Sequence, residues 1–256
     1  MRSICVINHK GGVGKTTTAV NLAAGLSRNN KSVLLVDLDP QSNVGLSLQV
    51  ETPYSLYDAL EGNIPVKRCI KNLAKNFDVL VSKENLIKTE YTLANNPGSR
   101  MLLRDLLRSI EGYEYIIIDC PPSLGLLNQN VLAFCKEAFI PTSTDFLGFD
   151  ALKKMRLIVG KTNSNYQHDI KITKVIPTLF DKRTKMCKNI LLDMEKTFAG
   201  IVAAPIRVNS KLKEAPMYGK SIFNYARSSS GAKDYGKLVD DVLKMGSVRI
   251  TEEIIA

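Results

Sequence analysis

A glycine-rich segment close to the N terminus carries the residue types that a phosphate-binding loop needs. Residues 10–16 read Lys-Gly-Gly-Val-Gly-Lys-Thr. Glycines allow successive backbone N–H groups to point at phosphate oxygens, and the dipole of a following helix favours negative charge at the same end. In such a loop Lys15 reaches the β- and γ-phosphates, and the Thr16 hydroxyl ligates Mg²⁺. The spacing predicts a P-loop that binds ATP, against the alternative of a turn without a ligand.

Two aspartates occupy places where a P-loop protein needs carboxylates to hold its metal ion. Asp37 closes the apolar run at 33–36, and Asp119 closes the apolar run at 115–118. Open α/β sheets bind their ligands at the carboxyl ends of the strands. We therefore expect both aspartates to lie beside a Mg²⁺ site. The alternative is that each aspartate simply ends its strand.

The segments around these residues alternate between strand-like and helix-like patterns. β-Branched residues at 3–8 precede the glycine-rich loop, residues 16–27 favour a helix, and residues 32–37 form a second apolar run. The alternation continues, with strands predicted at 77–82, 115–119, 137–142 and 171–177, helices at 100–109, 149–162 and 185–198, and turns at 51–58 and 95–99. This pattern predicts an α/β fold, with a doubly wound, mostly parallel sheet flanked by helices, in a single domain spanning residues 1–256.

The overall composition is that of an ordinary globular protein. Hydrophobic residues make up 45% and charged residues 23% of the 256 residues. No stretch approaches the roughly 20 apolar residues of a membrane span, and the N terminus lacks a signal-peptide core. The five cysteines are scattered, without a C-x-x-C pair, so we expect free thiols and no disulfide framework or structural metal. The sequence therefore predicts a cytoplasmic protein.

The strongly basic charge suggests a polyanionic partner. The formal net charge is +10. Clustered lysines and arginines bind nucleic acids by releasing counterions from the phosphates. A solvated basic surface without a partner is the alternative, and charge alone does not choose between them.

Several segments together resemble one known family of ATPases. Lys10–Thr17, Asp37–Gln41 and Ile117–Pro122 are similar to the deviant Walker A, A′ and B motifs of the ParA/MinD ATPases. Asp181–Thr184 and Asn209–Pro216 are similar to segments of the chromosomal ParA (Soj) branch. The resemblance runs along essentially the whole chain, and it implies a P-loop NTPase fold of the deviant Walker A type.

The resemblance also implies roles for individual residues. Lys10 matches the signature lysine that reaches the partner's phosphates in a nucleotide-sandwich homodimer, and Gly11 matches a glycine where the two loops pack closely. Asp39 matches the carboxylate that positions the attacking water. The implied catalytic residues are Lys10, Lys15 and Asp39; the implied metal site is Thr16, Asp37 and Asp119. The implied nucleotide-binding residues are Gly11, Gly12, Val13, Gly14, Lys15, Thr16, Thr17, Thr178 and Asn209.

The family's ATP-bound dimers bind double-stranded DNA without sequence preference, and a ParB-like (Spo0J-like) protein stimulates their slow hydrolysis. The resemblance therefore implies a DNA partition ATPase associated with the nucleoid, with Arg183, Lys211 and Lys213 as candidate DNA contacts. Two positions depart from the family pattern: Lys211 replaces an arginine, and Arg207 replaces a proline, which puts the adenine-binding loop in doubt. The chain starts at the P-loop strand, so we expect no N-terminal helix-turn-helix extension and no operator-specific repression.

Two other functions within the same superfamily are less well supported. A MinD-like ATPase that cycles on membranes ends in a basic amphipathic helix, whereas residues 248–256 form a short acidic tail. A relative of the nitrogenase iron protein needs paired cysteines for an iron–sulfur cluster shared between subunits. Cys120 follows Asp119, but no second cysteine stands in a matching loop.

Overall fold

The computed structural model describes the backbone of residues 1–95 and 101–255 and the side chains of residues 1–91 and 101–245. Three predicted features extend outside this range. They are the turn predicted at 95–99, for most of its length, the helix predicted at 100–109, for its first residue, and the predicted domain, for its last residue. Seven strands form one sheet: β1 (Arg2–Val6), β2 (Val33–Asp37), β3 (Ile70–Ala74), β4 (Phe77–Leu80), β5 (Tyr115–Asp119), β6 (Glu137–Ser143) and β7 (Lys171–Thr178).

The strand order confirms the predicted doubly wound sheet. It runs β3-β4-β2-β5-β1-β6-β7, and every neighbouring pair is parallel except β3 with β4. All residues of β2 and β5 are buried, because these central strands are covered on both faces. The antiparallel edge strand β3 was not predicted, because its half-exposed sequence lacks a strong apolar pattern.

The helices lie on the two faces of the sheet. They are α1 (Lys15–Arg28), α2 (Asn43–Leu48), α3 (Leu56–Leu60), α4 (Val66–Cys69), α5 (Leu86–Asn95), α6 (Leu102–Arg108), α7 (Leu126–Phe134), α8 (Phe146–Tyr166), α9 (Lys185–Thr197), α10 (Ser210–Glu214), α11 (Ile222–Tyr225) and α12 (Ser230–Ile255). A 3₁₀ turn at Ala215–Tyr218 joins α10 to α11.

Successive side chains along β1 point to opposite faces of the sheet, and each face carries one hydrophobic cluster. Cys5 and Ile7 face a cluster to which α3 to α9 contribute, and Ile4 and Val6 face a cluster that includes α1, α2, α11 and α12. Helices α1 and α12 approach closely at Gly25, where an added Cβ would lie 2.4 Å from the Val239 side chain. The two clusters hold the sheet rigidly between its helical layers.

The predicted elements on either side of the glycine-rich loop are present, with small shifts at their ends. The helix predicted at 149–162 is longer and spans Phe146–Tyr166. The turn predicted at 51–58 is wrong in its second half, because α3 begins at Leu56; there Asp58 accepts hydrogen bonds from the backbone and hydroxyl of Ser55. The backbone of residues 248–255 forms the last part of the long helix α12.

Candidate nucleotide site

The glycine-rich loop connects β1 to α1 at the carboxyl edge of the sheet. Gly12 and Gly14 have φ angles of 72° and 85°, a region that favours glycine. The Asn8 side chain fixes the start of the loop: its amide donates to the Pro141 carbonyl at 2.8 Å and accepts from the Lys10 N–H at 3.0 Å. The loop ends at the free N–H groups of α1, so it has the form of an anion-binding loop.

The Lys15 side chain is buried within this loop. Its residue is 8% exposed, and its ammonium donates to the Lys10 carbonyl at 3.1 Å. Burial lowers the pKa of Lys15, and the negative charges of Asp119 and Asp39 act in the opposite direction. Among the described residues Lys15 forms no ion pair, so its charge is available to a phosphate.

Two carboxylates stand next to the loop on adjacent strands. Asp37 and Asp119 face each other in register at the ends of β2 and β5. The Asp37 carboxylate accepts the N–H groups of Asp39 and Val44, each at 3.1 Å. Both Asp119 oxygens are buried and lack hydrogen-bond partners in the described part of the chain. Burial raises the pKa of both aspartates, and at Asp119 the neighbouring Asp37 raises it further.

These donors fit a magnesium ion. Mg²⁺ is usually bound by one or two carboxylates together with substrate phosphates and waters. The unpartnered oxygens of Asp119 offer such a carboxylate, and Thr16 stands in the first turn of α1. Among the described residues no three acidic, histidine or cysteine side chains form a metal cage. The site therefore suits an ion that arrives with its nucleotide.

Asp39 is fixed by its own turn. Its carboxylate accepts the Gln41 N–H at 3.0 Å, and its carbonyl accepts from the Ser42 N–H at 2.8 Å and from the Ser82 hydroxyl. The residue is 7% exposed. Asp39 thus has a rigid backbone and a carboxylate with remaining acceptor capacity, as a water-positioning group requires.

Lys10 lies outside the phosphate loop's own cavity. Its ammonium donates to the Asp145 carboxylate at 2.8 Å and to the Ser143 hydroxyl at 3.1 Å. Asp145 also caps α8, because it accepts the Gly148 N–H at 2.8 Å. The next residue, Phe146, is 71% exposed. The two lysines of the loop therefore differ: Lys15 is buried, and Lys10 lies at an exposed apolar surface.

Two cavities share the P-loop as a wall. The first has a volume of about 650 Å³, and its lining includes Gly11, Lys15, Thr16, Asp39, Gln41, Glu90 and residues 121–123. The second has a volume of about 390 Å³, and its lining includes Gly12, Val13, Gly14, Thr17, Thr178, Arg207, Asn209 and Lys213. Such volumes suit small ligands. A nucleotide with its phosphates at the P-loop has room for its nucleoside in the second cavity.

Comparisons with known proteins agree with this geometry. A family model described as an AAA domain matches residues 1–172. The chromosome partitioning protein ParA of Myxococcus xanthus is 33% identical over 249 residues, which are 95% of this chain and 88% of that protein. The sporulation initiation inhibitor protein Soj of Bacillus subtilis is 35% identical over 249 residues, which are 95% of this chain and 98% of that protein. The chain belongs to the ParA/Soj family of ATPases. The resemblance in its Walker motifs is confirmed.

A solved structure shows the ligands that this fold can hold. Cobyrinic acid a,c-diamide synthase of Mycobacterium smegmatis, with bound ADP and magnesium, is 28% identical with a TM-score of 0.83, over 96% of each chain. The same synthase has also been solved with an ATP analogue and magnesium. Nucleotide and Mg²⁺ are thus established ligands in a related protein.

Arg207, which lines the second cavity, the candidate nucleoside cavity, forms an ion pair that sequence reasoning missed. The Asp234 carboxylate accepts the Arg207 guanidinium at 2.7 and 2.9 Å and the Arg207 N–H at 3.0 Å. Asn209 caps α10 by accepting the Lys211 N–H, and Thr178 donates to the Val13 carbonyl at 2.9 Å. Arg207 therefore clamps the loop to α12.

The three candidate DNA contacts lie in two neighbouring segments. Backbone hydrogen bonds between Phe180 and the strand-like residues 206–208 bring the segment with Arg183 and the segment with Lys211 together. Arg183 pairs with Asp181 at 2.7 Å, and Lys211 pairs with Glu214 at 2.7 Å. Lys213 forms no ion pair within the described residues and lines the nucleoside cavity. The structure thus places these cations near each other, with two of them already neutralised locally.

The remaining functional candidates that the sequence did not reveal are Ser143, Asp145 and Glu90. The two partners of Lys10 are the last residue of β6 and a residue just after it, more than 130 residues away along the chain. Glu90 belongs to the unpredicted helix α5. No motif marks these residues, and only the fold brings them to the P-loop.

Proposed function

We propose that this chain is a DNA partition ATPase whose ATP-bound form is a homodimer. In this proposal the dimer binds double-stranded DNA without sequence preference, and slow ATP hydrolysis, stimulated by a ParB-like partner, releases it. The observation that carries the proposal is the pair of lysines in one loop. Lys15 is buried in its own phosphate cavity, whereas Lys10 stands outside that cavity at an exposed surface.

ATP and Mg²⁺ are supported by the chemistry of the site. The loop offers backbone N–H groups and one buried cation, and Asp119 offers a carboxylate without a partner. When bound, Mg²⁺ neutralises charge on the phosphate oxygens. Asp39 holds the attacking water, and Asp37 stabilises the turn that carries Asp39. Phosphoryl transfer requires mainly such positioning and charge stabilisation, so this set suffices for slow hydrolysis.

Dimerisation is supported by the surface around Lys10. Phe146 and Leu147 are 71% and 66% exposed and follow directly after Asp145, the ion-pair partner of Lys10. Two adjacent exposed apolar side chains favour a protein contact. In the dimer, Lys10 leaves Asp145 and approaches the partner's phosphates, where a cation supplied in trans acts as an arginine finger does.

DNA binding is supported by the net charge and by the neighbouring basic segments. Exposed lysines and arginines give salt-dependent, sequence-independent affinity for phosphates. Arg183, Lys211 and Lys213 are the proposed contacts, and the protein would then associate with the nucleoid. No helix within the described residues is both long enough and apolar enough to span a membrane. The Myxococcus xanthus relative, which is named for chromosome partitioning, favours this function over membrane cycling.

The dependence of ATP turnover on protein concentration tests the proposal. If hydrolysis needs Lys10 of a second chain, the specific ATPase activity rises with protein concentration until all chains are dimeric. Lys10→Ala should remove this rise and leave ATP binding intact, because Lys15 serves its own nucleotide. A specific activity that is independent of concentration and unaffected by Lys10→Ala would contradict the shared site.

A further inference from the structure

Glu90, in α5, lines the same cavity as the P-loop but has no role in the mechanism above. Its Oε1 atom is buried and has no hydrogen-bond partner among the described residues. Leaving a buried acceptor without a donor is unfavourable, and native structures keep few such atoms. An unpartnered carboxylate oxygen beside a phosphate site therefore points to a donor that arrives with the ligand.

The Glu90 carboxylate packs directly against Gly125, the residue before α7. A Cβ added to Gly125 would lie 2.0 Å from Oε1 and 2.8 Å from Cδ of Glu90. The φ angle of Gly125 is −67°, so its backbone conformation does not itself require glycine. A side chain at this position would therefore have to displace the Glu90 carboxylate.

Gly125 ends the loop that follows Asp119. Pro121, Pro122 and Ser123 of this loop line the cavity together with Lys15. Glu90 thus joins α5 to the segment that leads from the metal-binding strand to α7. The position of this segment determines the shape of the cavity where a γ-phosphate and its attacking water would lie.

We propose that Glu90 is a positioning residue for ATP hydrolysis. It holds the loop at 120–125 through its contact with Gly125, and its free Oε1 accepts a hydrogen bond from a donor that arrives with the nucleotide. This inference rests on the proposed ATPase function and adds a carboxylate that the Walker motifs do not contain. Small displacements of positioning groups have large effects on rate, so Glu90 should influence turnover more than binding.

The variant Glu90→Gln separates this role from simple packing. Glutamine keeps the size of the side chain but removes the negative charge and can place an N–H₂ group opposite the arriving donor. We expect kcat to fall about tenfold or more, with the dissociation constant for ATP within about twofold of wild type and the melting temperature unchanged. Glu84→Gln, an exposed glutamate just before α5, is the matched control and should behave as wild type.

Gly125→Ala provides an independent test because it acts through the same contact. The new methyl group must displace the Glu90 carboxylate, so kcat should fall as in Glu90→Gln. In a Glu90→Ala background the clash is absent, and adding Gly125→Ala should have little further effect. Such non-additivity is the signature of two residues that act through one contact.

The outcomes distinguish this proposal from the function on which it rests. Turnover of Glu90→Gln within about twofold of wild type, or equal losses in ATP affinity and turnover, would overturn the role of Glu90 and leave the ATPase intact. Additive losses in the Gly125→Ala cycle would also overturn it. If wild type hydrolyses no more ATP than Lys15→Ala, the proposed function itself fails, and the role of Glu90 fails with it.

Discussion

The charged groups at the nucleotide end of the sheet are paired differently from those of the basic surface near α10, which comprises Arg183, Lys211 and Lys213. At the nucleotide end, Asp119 and Glu90 have buried oxygens without partners in the described part of the chain, and Lys15 is buried without an ion pair there. At the basic surface, Lys211 and Arg183 are exposed, and each already pairs with a carboxylate of its own segment. The first region holds buried polar atoms that are not paired within the described residues, whereas in the second region two of the three candidate cations are already paired.

This difference predicts strong ligand binding at the nucleotide end and weaker, adjustable binding at the basic surface. A ligand that satisfies buried unpaired groups gains their full interaction, because they have already lost their contacts with water. DNA must instead compete with exposed local carboxylates and with salt. We therefore expect tight nucleotide binding that is sensitive to single changes, and DNA binding that is spread over many residues.

The largest expected effect is that of Lys15→Ala at the nucleotide end. Removing the one buried cation of the P-loop leaves the β- and γ-phosphates without a positively charged side chain from their own loop. We expect ATP affinity to fall at least about a hundredfold, in line with the loss of one preorganised charge. Titration with a fluorescent ATP analogue measures this. Affinity close to that of wild type would remove the contrast between the two regions.

Asp39→Ala should separate binding from hydrolysis within the same region. The carboxylate does not hold the phosphates, so ATP should still bind and dimers should still form. Turnover should fall about a hundredfold, because the attacking water loses its positioning group. Single-turnover hydrolysis measures the rate. Rapid hydrolysis by this variant would show that another residue positions the water.

A smaller effect is expected for Lys211→Glu at the basic surface. The variant should still bind ATP and dimerise, and the magnitude of the negative slope of log DNA affinity against log salt should fall by about 1. Lys31→Glu is the matched control, because Lys31 pairs with Glu114 at the other end of the sheet. A mobility-shift assay in which the two variants behave alike would remove Lys211 from the DNA surface.

The smallest effect, opposite in sign, is expected for Glu214→Gln. This change releases Lys211 from its ion pair, and exposed pairs contribute only about 0.2–1 kcal/mol. DNA affinity should therefore rise by no more than a few-fold. Glu114→Gln, which releases Lys31 in the same way, is the control. Weaker DNA binding by Glu214→Gln alone would show that the carboxylate shapes the surface and does not compete with DNA.

The same comparison explains how far the sequence could predict the structure. Asp37 and Asp119 were predictable, because each directly ends an apolar strand and neighbouring parallel strands finish at one edge. The P-loop was predictable because its chemistry lies within seven consecutive residues. These features are local in sequence, and the fold only had to bring a few strand ends together.

The remaining features depend on contacts between distant segments. Asp145 meets Lys10 from 135 residues away, and Asp234 meets Arg207 from the next long helix. Helix α5, which carries Glu90, follows several short elements and has no clear start signal. The hydrophobic periodicity of a single sequence cannot show which of these residues become neighbours. These contacts could therefore be found only from the structure.

Light scattering with ADP and with a slowly hydrolysed ATP analogue, each with and without DNA, tests the central claim most directly. We expect a monomer with ADP, a dimer with the analogue, and DNA association of the dimer alone, because Lys10 reaches a second nucleotide only when two loops meet. Lys10→Ala provides the control for that contact. A monomer in every condition would contradict the account.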